Sequence, residues 1–448
     1  MRKKIVISIV FAIIFLASFT QLSYGQFTLA GQIRTRTEVR DGFGTPLPKK
    51  SDVAIFTSQR SRLTFGYAGY RLKFGASIQD VRVWGQDVST INRNTVADYN
   101  DLMLHEAWAE IMLTDTAVKN KMFLKVGRQE IIYDDSRLLG NLDWLQQARR
   151  HDAAIFKYEA KKIIVNAGFA FNQNSEKLSN TTYNNTTPGY PANTNAGSMY
   201  KSFEYLYAAK KLKEGTVSFL FFADQFNKFH MSGSTKIIDT GTWTRATTGL
   251  YYAQTFKKLS VNASGYYQFG KNAAGAKLNA QLLTANVMYA ATKKLTTGLG
   301  VDYYSGGTDG TTSKAFDPLY GTPHKFAGYM DYYYVAWGAG KAGLIDAYVR
   351  AKYKATAKCV LALDVHQFIA GSKVVDGSNN TLSKNLGTEI DITATHQLTK
   401  EVGFEFGYSH YFTTSTLNSV NVKNVSNAKA GANWFYAMII IKPTFLVK

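Results

Sequence analysis

Apolar and polar residues alternate along one segment of the chain after another, and this period of two is the feature that most limits the possible folds. In Phe27–Arg40 the odd positions carry apolar residues, glycine or threonine, whereas Arg34 and Arg36 occupy even positions. The same alternation runs through Val53–Tyr67 and Ile345–Tyr353. A period of two places the apolar side chains on one face of a β-strand. The sequence therefore predicts an all-β protein whose strands have one apolar and one polar face.

The connections between these strands alternate between short turns and long loops. Ala160–Lys162 and Thr292–Leu295 are short, lysine-containing turns. Outer-membrane barrels have short periplasmic turns and long extracellular loops, and counting by this rhythm predicts about 18 strands, an even number that returns both chain ends to the periplasmic side. The predicted long loops are Gly85–Tyr99, Ile131–Arg150, Asn172–Met199, Asn227–Gly241, Ser305–Gly340, Ala370–Lys384 and Thr414–Ala430.

A sheet with an apolar outer face must close on itself in lipid, because every backbone N–H and C=O there needs a partner within the protein. About 18 strands also exceed what an open twisted sheet usually sustains. Beyond the N-terminus no apolar run reaches about 18 residues, which excludes a helical membrane protein. We therefore expect residues 26–448 to form a transmembrane antiparallel up-and-down β-barrel in the outer membrane of a Gram-negative bacterium.

The first 25 residues have the composition of a secretory signal. Three basic residues precede an apolar run, Ile5–Phe19, and small residues at Ser23 and Gly25 predict cleavage before Gln26. The apolar run is shorter than the roughly 20 residues of a spanning helix. A single cysteine, Cys359, leaves no intrachain disulfide in the exported chain.

If the apolar faces contact lipid, the polar faces line the lumen of the barrel. An arginine at the lipid midplane of a barrel costs about 2–4 kcal/mol, so arginines within strands favour the inside. The alternation predicts these inward-facing residues: Arg34, Arg36, Arg60, Arg62, Arg350, Lys73, Lys125, Lys352, Glu106, Glu110, Asp346, Asp364, Glu389, Asp391 and Glu405. Two interpretations, which can hold together, stay open: a structural ladder of ion pairs, or an electropositive constriction that selects anions.

One long connection, Ile131–Arg150, is rich in arginine and contains Trp144 and other apolar residues that need a surface to pack on. Long loops without low-complexity sequence are usually functional or folded back. We expect this loop to fold inward and present Arg137, Arg149 and Arg150 to the pore. Strict alternation places Arg82 and Arg128 on the apolar side, and a β-bulge at the rim would turn them inward.

The segment GRQEIIYDDSRLLGNLDWLQQARRHDAAIF, Gly127–Phe156, resembles the signature region of the alginate-export family of outer-membrane porins. Gln79–Gly85 is similar to a strand of that family, and Gly328–Tyr332 to one of its later loops. The resemblance implies an 18-stranded monomeric barrel with an arginine-rich lumen through which an anionic polyuronate leaves the cell. By motif, the residues carried over as the selectivity site are Arg82, Arg128, Arg137, Arg149 and Asp152.

These observations predict a channel for anionic polysaccharide or other anionic solutes. The alternatives are a general or anion-selective porin for small solutes and a structural or adhesive barrel. The expected partners are the transported anion, outer-membrane lipid and periplasmic export components.

Other functional classes have no support in the sequence. No histidine lies in a serine-histidine or paired-carboxylate motif, so we expect no enzymatic activity. No phosphate-binding loop, Cys-x-x-Cys or His-Glu-x-x-His motif occurs, so neither a cofactor nor a metal is expected. The formal net charge of +20 could suggest nucleic acid, but an exported barrel does not meet it.

Overall fold

The computed structural model describes residues 25–86, 102–173, 200–333 and 341–447, together with Glu176 and Leu178. Residues 1–24 of the expected signal segment, most of the predicted loops Gly85–Tyr99 and Asn172–Met199, and the end of the predicted loop Ser305–Gly340 lie outside these residues. The strands of the described part are β1 (Gln26–Asp41), β2 (Ala54–Ala68), β3 (Leu72–Val83), β4 (Met103–Met112), β5 (Lys121–Gln129), β6 (His151–Glu159), β7 (Ile163–Phe171), β8 (Ser202–Lys211), β9 (Gly215–Ser232), β10 (Thr235–Phe256), β11 (Leu259–Lys271), β12 (Lys277–Ala290), β13 (Leu295–Tyr304), β14 (Thr308–Asp309), β15 (Thr312–Ser313), β16 (Leu344–Lys354), β17 (Cys359–Ala370), β18 (Asn385–Gln397), β19 (Val402–Thr413), β20 (Gly431–Ile441) and β21 (Thr444–Val447).

Eighteen of these strands, β1–β13 and β16–β20, form one closed antiparallel barrel, as predicted. Each pairs with its neighbour along the chain, and β20 pairs with β1 to close the ring. The short strands β14 and β15 form a hairpin inside one loop, and β21 continues the pairing with β1 beyond Pro443. None of the helices in the described part of the chain has the length and apolarity needed to cross a bilayer.

Alternate side chains along the strands face the outside and the lumen of the barrel, as predicted. In β2, Leu63 and Tyr67 are 40% and 39% exposed on the outer face, whereas Arg60 on the other face is fully buried. Residues directly opposite each other in a sheet share a face. The pairing of Leu29 with Phe65, and of Phe65 with Ala76, therefore carries the apolar outer face across β1, β2 and β3.

The prediction of a loop over Asn227–Gly241 is wrong. The strands β9 and β10 continue through this segment and pair with each other up to Ser232 and Thr235. Only two residues connect them, and Gly233 takes the positive φ, 61°, that such tight hairpin turns require. The segment therefore extends the sheet beyond the neighbouring strands as a two-stranded hairpin.

A β-bulge interrupts the pairing of β3 with β4. Ser77 pairs with Glu106 and Ile78 with Leu104, so His105 has no residue opposite it. A bulge of this kind places two residues of one strand against one of the other and redirects a side chain. The outward face resumes at Leu104, which is 42% exposed, whereas His105 is fully buried on the lumen side beside Glu106.

Two loops fold into the barrel and contact each other there. We name Glu130–Arg150 the first inward loop and Ser305–Tyr333 the second inward loop. The Tyr320 amide donates to the Leu138 carbonyl at 2.9 Å, and the Gly140 amide to the Tyr320 carbonyl at 3.0 Å. Buried apolar residues of both loops join the inner wall in one cluster whose members include Leu138, Leu139, Tyr320, Met330 and Tyr332. The inward folding of Ile131–Arg150 matches the prediction.

We expect Trp434→Ala to destabilise the protein by about 3–5 kcal/mol, the usual loss for a large aromatic core residue. The Trp434 side chain is fully buried on the inner face of β20, and its indole N–H donates to Glu38 at 3.0 Å. The measurement is the temperature at which purified protein in detergent loses its compact mobility on a gel. Phe435→Ala is the matched control, because Phe435 is 42% exposed on the outer face. Equal losses in the two variants would contradict the packing described.

Candidate functional site: the constriction inside the barrel

The tip of the first inward loop lies on the arginines of β1 and β2. Asp143 accepts from Arg60 at 2.8 Å and from Arg34 at 3.3 Å. Arg34 also donates to the side chain of Gln146 at 3.0 Å. Buried arginines are costly without such partners. The predicted lumen residues Arg34 and Arg60 therefore lie inside the barrel, but their charge is used to hold the loop.

Trp144 joins the two inward loops to the barrel wall. Its ring stacks on His324 of the second inward loop at 4.1 Å, with the planes 8° apart. The Arg36 guanidinium lies 4.3 Å from the ring centre and also donates to the Trp144 carbonyl at 2.9 Å. Trp434 of β20 meets the same ring edge-on at 5.8 Å. This single residue thus connects β1, β20 and both loops.

Arg137 and Arg149 hold the inward loops in place from the other side. Arg137 donates to Asp302 at 2.7 Å and to the Tyr304 hydroxyl at 2.8 Å, both on β13. Burial lowers the pKa of Arg137, but Asp302 together with Tyr304 and Asp135 more than offsets this and raises the pKa well above its ordinary value. Arg149 donates to the backbone carbonyls of Tyr320 and Gly321. Arg149 and Arg150 are both buried.

The first inward loop has a strained backbone. Four of its residues other than glycine have a positive φ, a conformation that costs about 1–3 kcal/mol each and persists only where the surroundings enforce it. These are Asp134, Ser136, Leu142 and Ala148. The loop is thus held in one conformation by its contacts with the wall and with the second inward loop.

The inner face of β16–β19 is acidic, and its carboxylates are also bonded. His366 Nδ1 lies 2.9 Å from Asp346, and Arg350 lies 3.0 Å from Asp364. These strands carry the remaining predicted acids on the lumen side, where Glu389 and Asp391 are buried. Glu389 accepts from the Met330 amide at 2.7 Å, and Asp391 accepts from the Ser409 hydroxyl. The acidic wall therefore binds the second inward loop.

Arg128 and Asp152 lie on the outer face of the barrel, so the prediction that they line the pore is wrong. They form a two-pronged pair at 2.8 Å and sit opposite each other in β5 and β6. The same face of β6 carries Phe156, which is 41% exposed, whereas His151 on the other face is buried. An arginine that faces outward near the membrane interface costs only about 0–1 kcal/mol. Arg128 can therefore remain on the outer face, without a β-bulge that would turn it inward.

Arg82 also lies outside the lumen, and its prediction as a pore residue is likewise wrong. It pairs across the sheet with Gln59, in regular register, and so shares the outer face with Leu63. Its guanidinium holds Asp80 at 2.6 and 2.8 Å. The bulge that was expected at this rim occurs instead at His105.

A second buried charge cluster, around Arg245, was not predicted from the sequence. Arg245 of β10 donates to Asp224 of β9 at 2.9 Å and lies 2.8 Å from Asp317 of the second inward loop. Tyr320 donates to the same Asp224 at 2.8 Å. Because a loop was predicted over Asn227–Gly241, the strands on either side were predicted to be shorter than they are. Continued alternation through β10 would have placed Arg245 on the lumen side.

Not every lumen cation is neutralised. Among the described residues, neither Arg62 nor Lys125 has a carboxylate oxygen within 4.0 Å. Arg62 donates to the Gln79 side chain at 2.8 Å, and the Lys125 ammonium lies 3.9 Å from the centre of the Trp108 ring. On the same wall, Glu110 is shared by Lys157 at 2.6 Å and Lys73 at 3.4 Å. The wall of β2–β6 thus keeps an excess of positive charge.

Asp143→Asn should loosen the first inward loop. The exchange removes the charge that holds Arg34 and Arg60, and because Asp143 is 42% exposed we expect a loss of about 1–2 kcal/mol. The measurement is the noise of single-channel current in planar bilayers, which should increase. Asp309→Asn, which removes an exposed ion pair with Lys314, is the control and should leave the noise unchanged. Equal noise in D143N and the wild type would contradict this assignment.

The same latch should depend on pH. Burial raises the pKa of Asp143, but Arg60 and Arg34 more than offset this and hold it below the ordinary value of 3.8. A carboxylate with a lowered pKa stabilises the folded state above its ordinary pKa and loses that effect as the pH falls through the lowered value. Current noise should therefore be constant from about pH 8 to pH 5 and rise below about pH 4, and this rise should be absent in D143N.

Known protein structures share this barrel architecture. None of the curated proteins compared with the chain matches it. Among solved structures the chain is similar to Pseudomonas aeruginosa OccK3 (OpdO), with a TM-score of 0.58, 10% identity and coverage of 94% of this chain and 96% of that chain. It is also similar to Pseudomonas aeruginosa OpdQ, with a TM-score of 0.54, 14% identity and coverage of 94% and 98%. These likenesses show the barrel fold. Residues 26–430 match the family described as alginate export, so the chain belongs to the alginate-export family of Gram-negative outer-membrane proteins.

Proposed function

We propose that this outer-membrane channel passes anionic solutes, with an anionic polysaccharide of the polyuronate type as its substrate. The observation that carries the proposal is that Arg62 and Lys125, on the inner wall of β2–β6, have no carboxylate oxygen within 4.0 Å among the described residues. Positively charged side chains in a pore replace part of the hydration shell of a passing anion. The family match and the barrel fold favour a transporter over an enzyme.

The distribution of the other charges supports the same direction of selectivity. On the acidic wall, Asp364 is paired with Arg350, Asp346 with His366, and Glu389 with the Met330 amide. A carboxylate that is already bonded attracts a passing cation less than a free one. On the opposite wall, Arg62 and Lys125 have no carboxylate oxygen within 4.0 Å among the described residues, so they remain available to attract a passing anion.

The position of the two inward loops favours small anions as a second candidate substrate. The first inward loop reaches β1 and β2 through Asp143 and β13 through Arg137, and the arginine side chains of these contacts are buried. A polymer needs a continuous path past these contacts, whereas a small anion needs only a water-filled gap beside them. A polyuronate therefore requires the loops to be displaced, and this requirement separates the two substrates experimentally.

Replacing the unpaired cations should reduce anion selectivity. We expect the wild-type channel to prefer chloride over potassium, and the double variant R62Q/K125Q to lower that permeability ratio by several-fold, from reversal potentials across a salt gradient. The effect should be larger at low salt, where the Debye length exceeds about 10 Å. Lys236→Gln is the matched control, because Lys236 lies in the projecting hairpin with its ammonium over Phe229. A cation-selective wild-type channel would refute the proposal, and absence of conductance would favour a structural or adhesive barrel.

Substrate size can be tested on the same bilayers. An oligouronate should interrupt the chloride current of the wild type in discrete events, because its carboxylates meet Arg62 and Lys125 in turn. A neutral oligosaccharide of equal length should not do so. If D143N, with a loosened loop, shows longer oligouronate events while R62Q/K125Q shows none, the polymer enters the lumen. Interruption by both sugars alike would contradict charge selection.

A further inference from the structure

The bulge in β4 brings three metal-ligating side chains together at the root of the first inward loop. His105 and Glu106 are consecutive residues that both face the lumen, and Glu130 is the first residue after β5. One ligand atom from each of these residues lies within 4.8 Å of the other two. In a regular strand His105 and Glu106 would point to opposite faces, so the bulge is what makes the cluster possible.

The side chains of the cluster are already oriented by hydrogen bonds. His105 Nε2 lies 2.9 Å from Glu130 Oε1, and the Glu130 amide donates to Glu106 Oε1 at 3.2 Å. The second carboxylate oxygen of Glu130 accepts from the Asn141 side chain at 2.9 Å. The Asn141 bond to Glu130 is the kind of outer hydrogen bond that orients a ligand in metal sites, whereas an ion would replace the bond between His105 and Glu130. Two ligands about 2.1 Å from a tetrahedral ion lie about 3.4 Å apart, so small side-chain shifts would admit one.

The imidazole supplies a second, independent observation. The His105 side chain is fully buried, and its Nδ1 has no hydrogen-bond partner among the described residues. Burying a polar atom without a partner is costly, so the imidazole is incompletely bonded at Nδ1. Nε2 is the ring nitrogen that faces the Glu130 carboxylate, and it is the atom that would hold an ion. A mixed set of one imidazole and two carboxylates suits zinc and similar transition metals, whereas calcium and magnesium favour oxygen ligands alone.

We propose that His105, Glu106 and Glu130 bind a divalent transition-metal ion, with water completing its coordination. The ion would tie the first residue of the inward loop to β4. Occupancy of the site would then fix the base of the loop, while Asp143 fixes its tip. The positive charges of Arg62 on β2 and Lys125 on β5 reduce the affinity, so the site is suited to reversible binding.

The test uses the full chain in detergent, freed of metal with a chelator and titrated with zinc by calorimetry. We expect one zinc ion per chain, with binding weakened at least about ten-fold in H105Q and in E130Q. His230→Ala is the matched control: it removes another histidine-carboxylate pair, His230 and Asp239 at 2.7 Å in the projecting hairpin, and should leave zinc binding unchanged.

Two further measurements separate a specific site from weak surface binding. Cobalt in place of zinc should give absorption bands whose intensity falls in H105Q, because the imidazole nitrogen is then missing. Magnesium should bind at least about ten-fold more weakly than zinc. The proposal is overturned if the wild type fails to bind zinc at about 1 mM, or if H105Q binds zinc and cobalt as the wild type does while keeping its native gel mobility. Because the readout is binding, the result is independent of whether the channel selects anions.

Discussion

Backbone pairing in the absence of water is the constraint on which the rest of this structure depends. Inside a hydrocarbon layer, every N–H and C=O must bond within the protein, and a sheet satisfies this requirement only by closing. Closure is completed by the pairing of β20 with β1. Once the ring is closed, side chains alternate between lipid and lumen except at bulges such as the one at His105. The charged residues on the inner faces of the strands must then find their partners within the lumen.

The charged side chains of the lumen therefore have two roles: some hold the inward loops, and others are available to a solute. Arg34, Arg60 and Arg137 are buried and hold the inward loops in place: Arg34 and Arg60 share the carboxylate of Asp143, and Arg137 pairs with Asp302. Only cations left out of these pairs can act on a solute. Among the predicted lumen residues that the structure describes, Arg62, Lys125 and Lys352 have no carboxylate oxygen within 4.0 Å, and Arg62 and Lys125 lie on the wall of β2–β6. The two interpretations that the sequence left open, an ion-pair ladder and a selective constriction, thus apply to different residues of one wall.

The fold was largely predictable because alternation is a local signal with a physical cause. The lumen positions of Arg34, Arg60 and Arg350 follow from parity alone. The partners do not: Arg137 and Asp302 are 165 residues apart, and no local pattern connects them. The placement of Arg128 by motif was wrong because a motif carries no information about strand faces, whereas strict parity had it on the outer side. The bulge at His105 is a change of register, which only the pairing of two strands reveals.

The contacts of Trp144 have a consequence for the order of assembly. Its ring touches Arg36 on β1 and Trp434 on β20, the two strands that meet last because they lie at opposite ends of the barrel sequence. Contacts between distant parts of a chain form late, since the intervening segment must first be ordered. The indole can therefore reach its final environment only in a barrel whose seam is shut. Its position makes completion of the ring a precondition for an ordered interior.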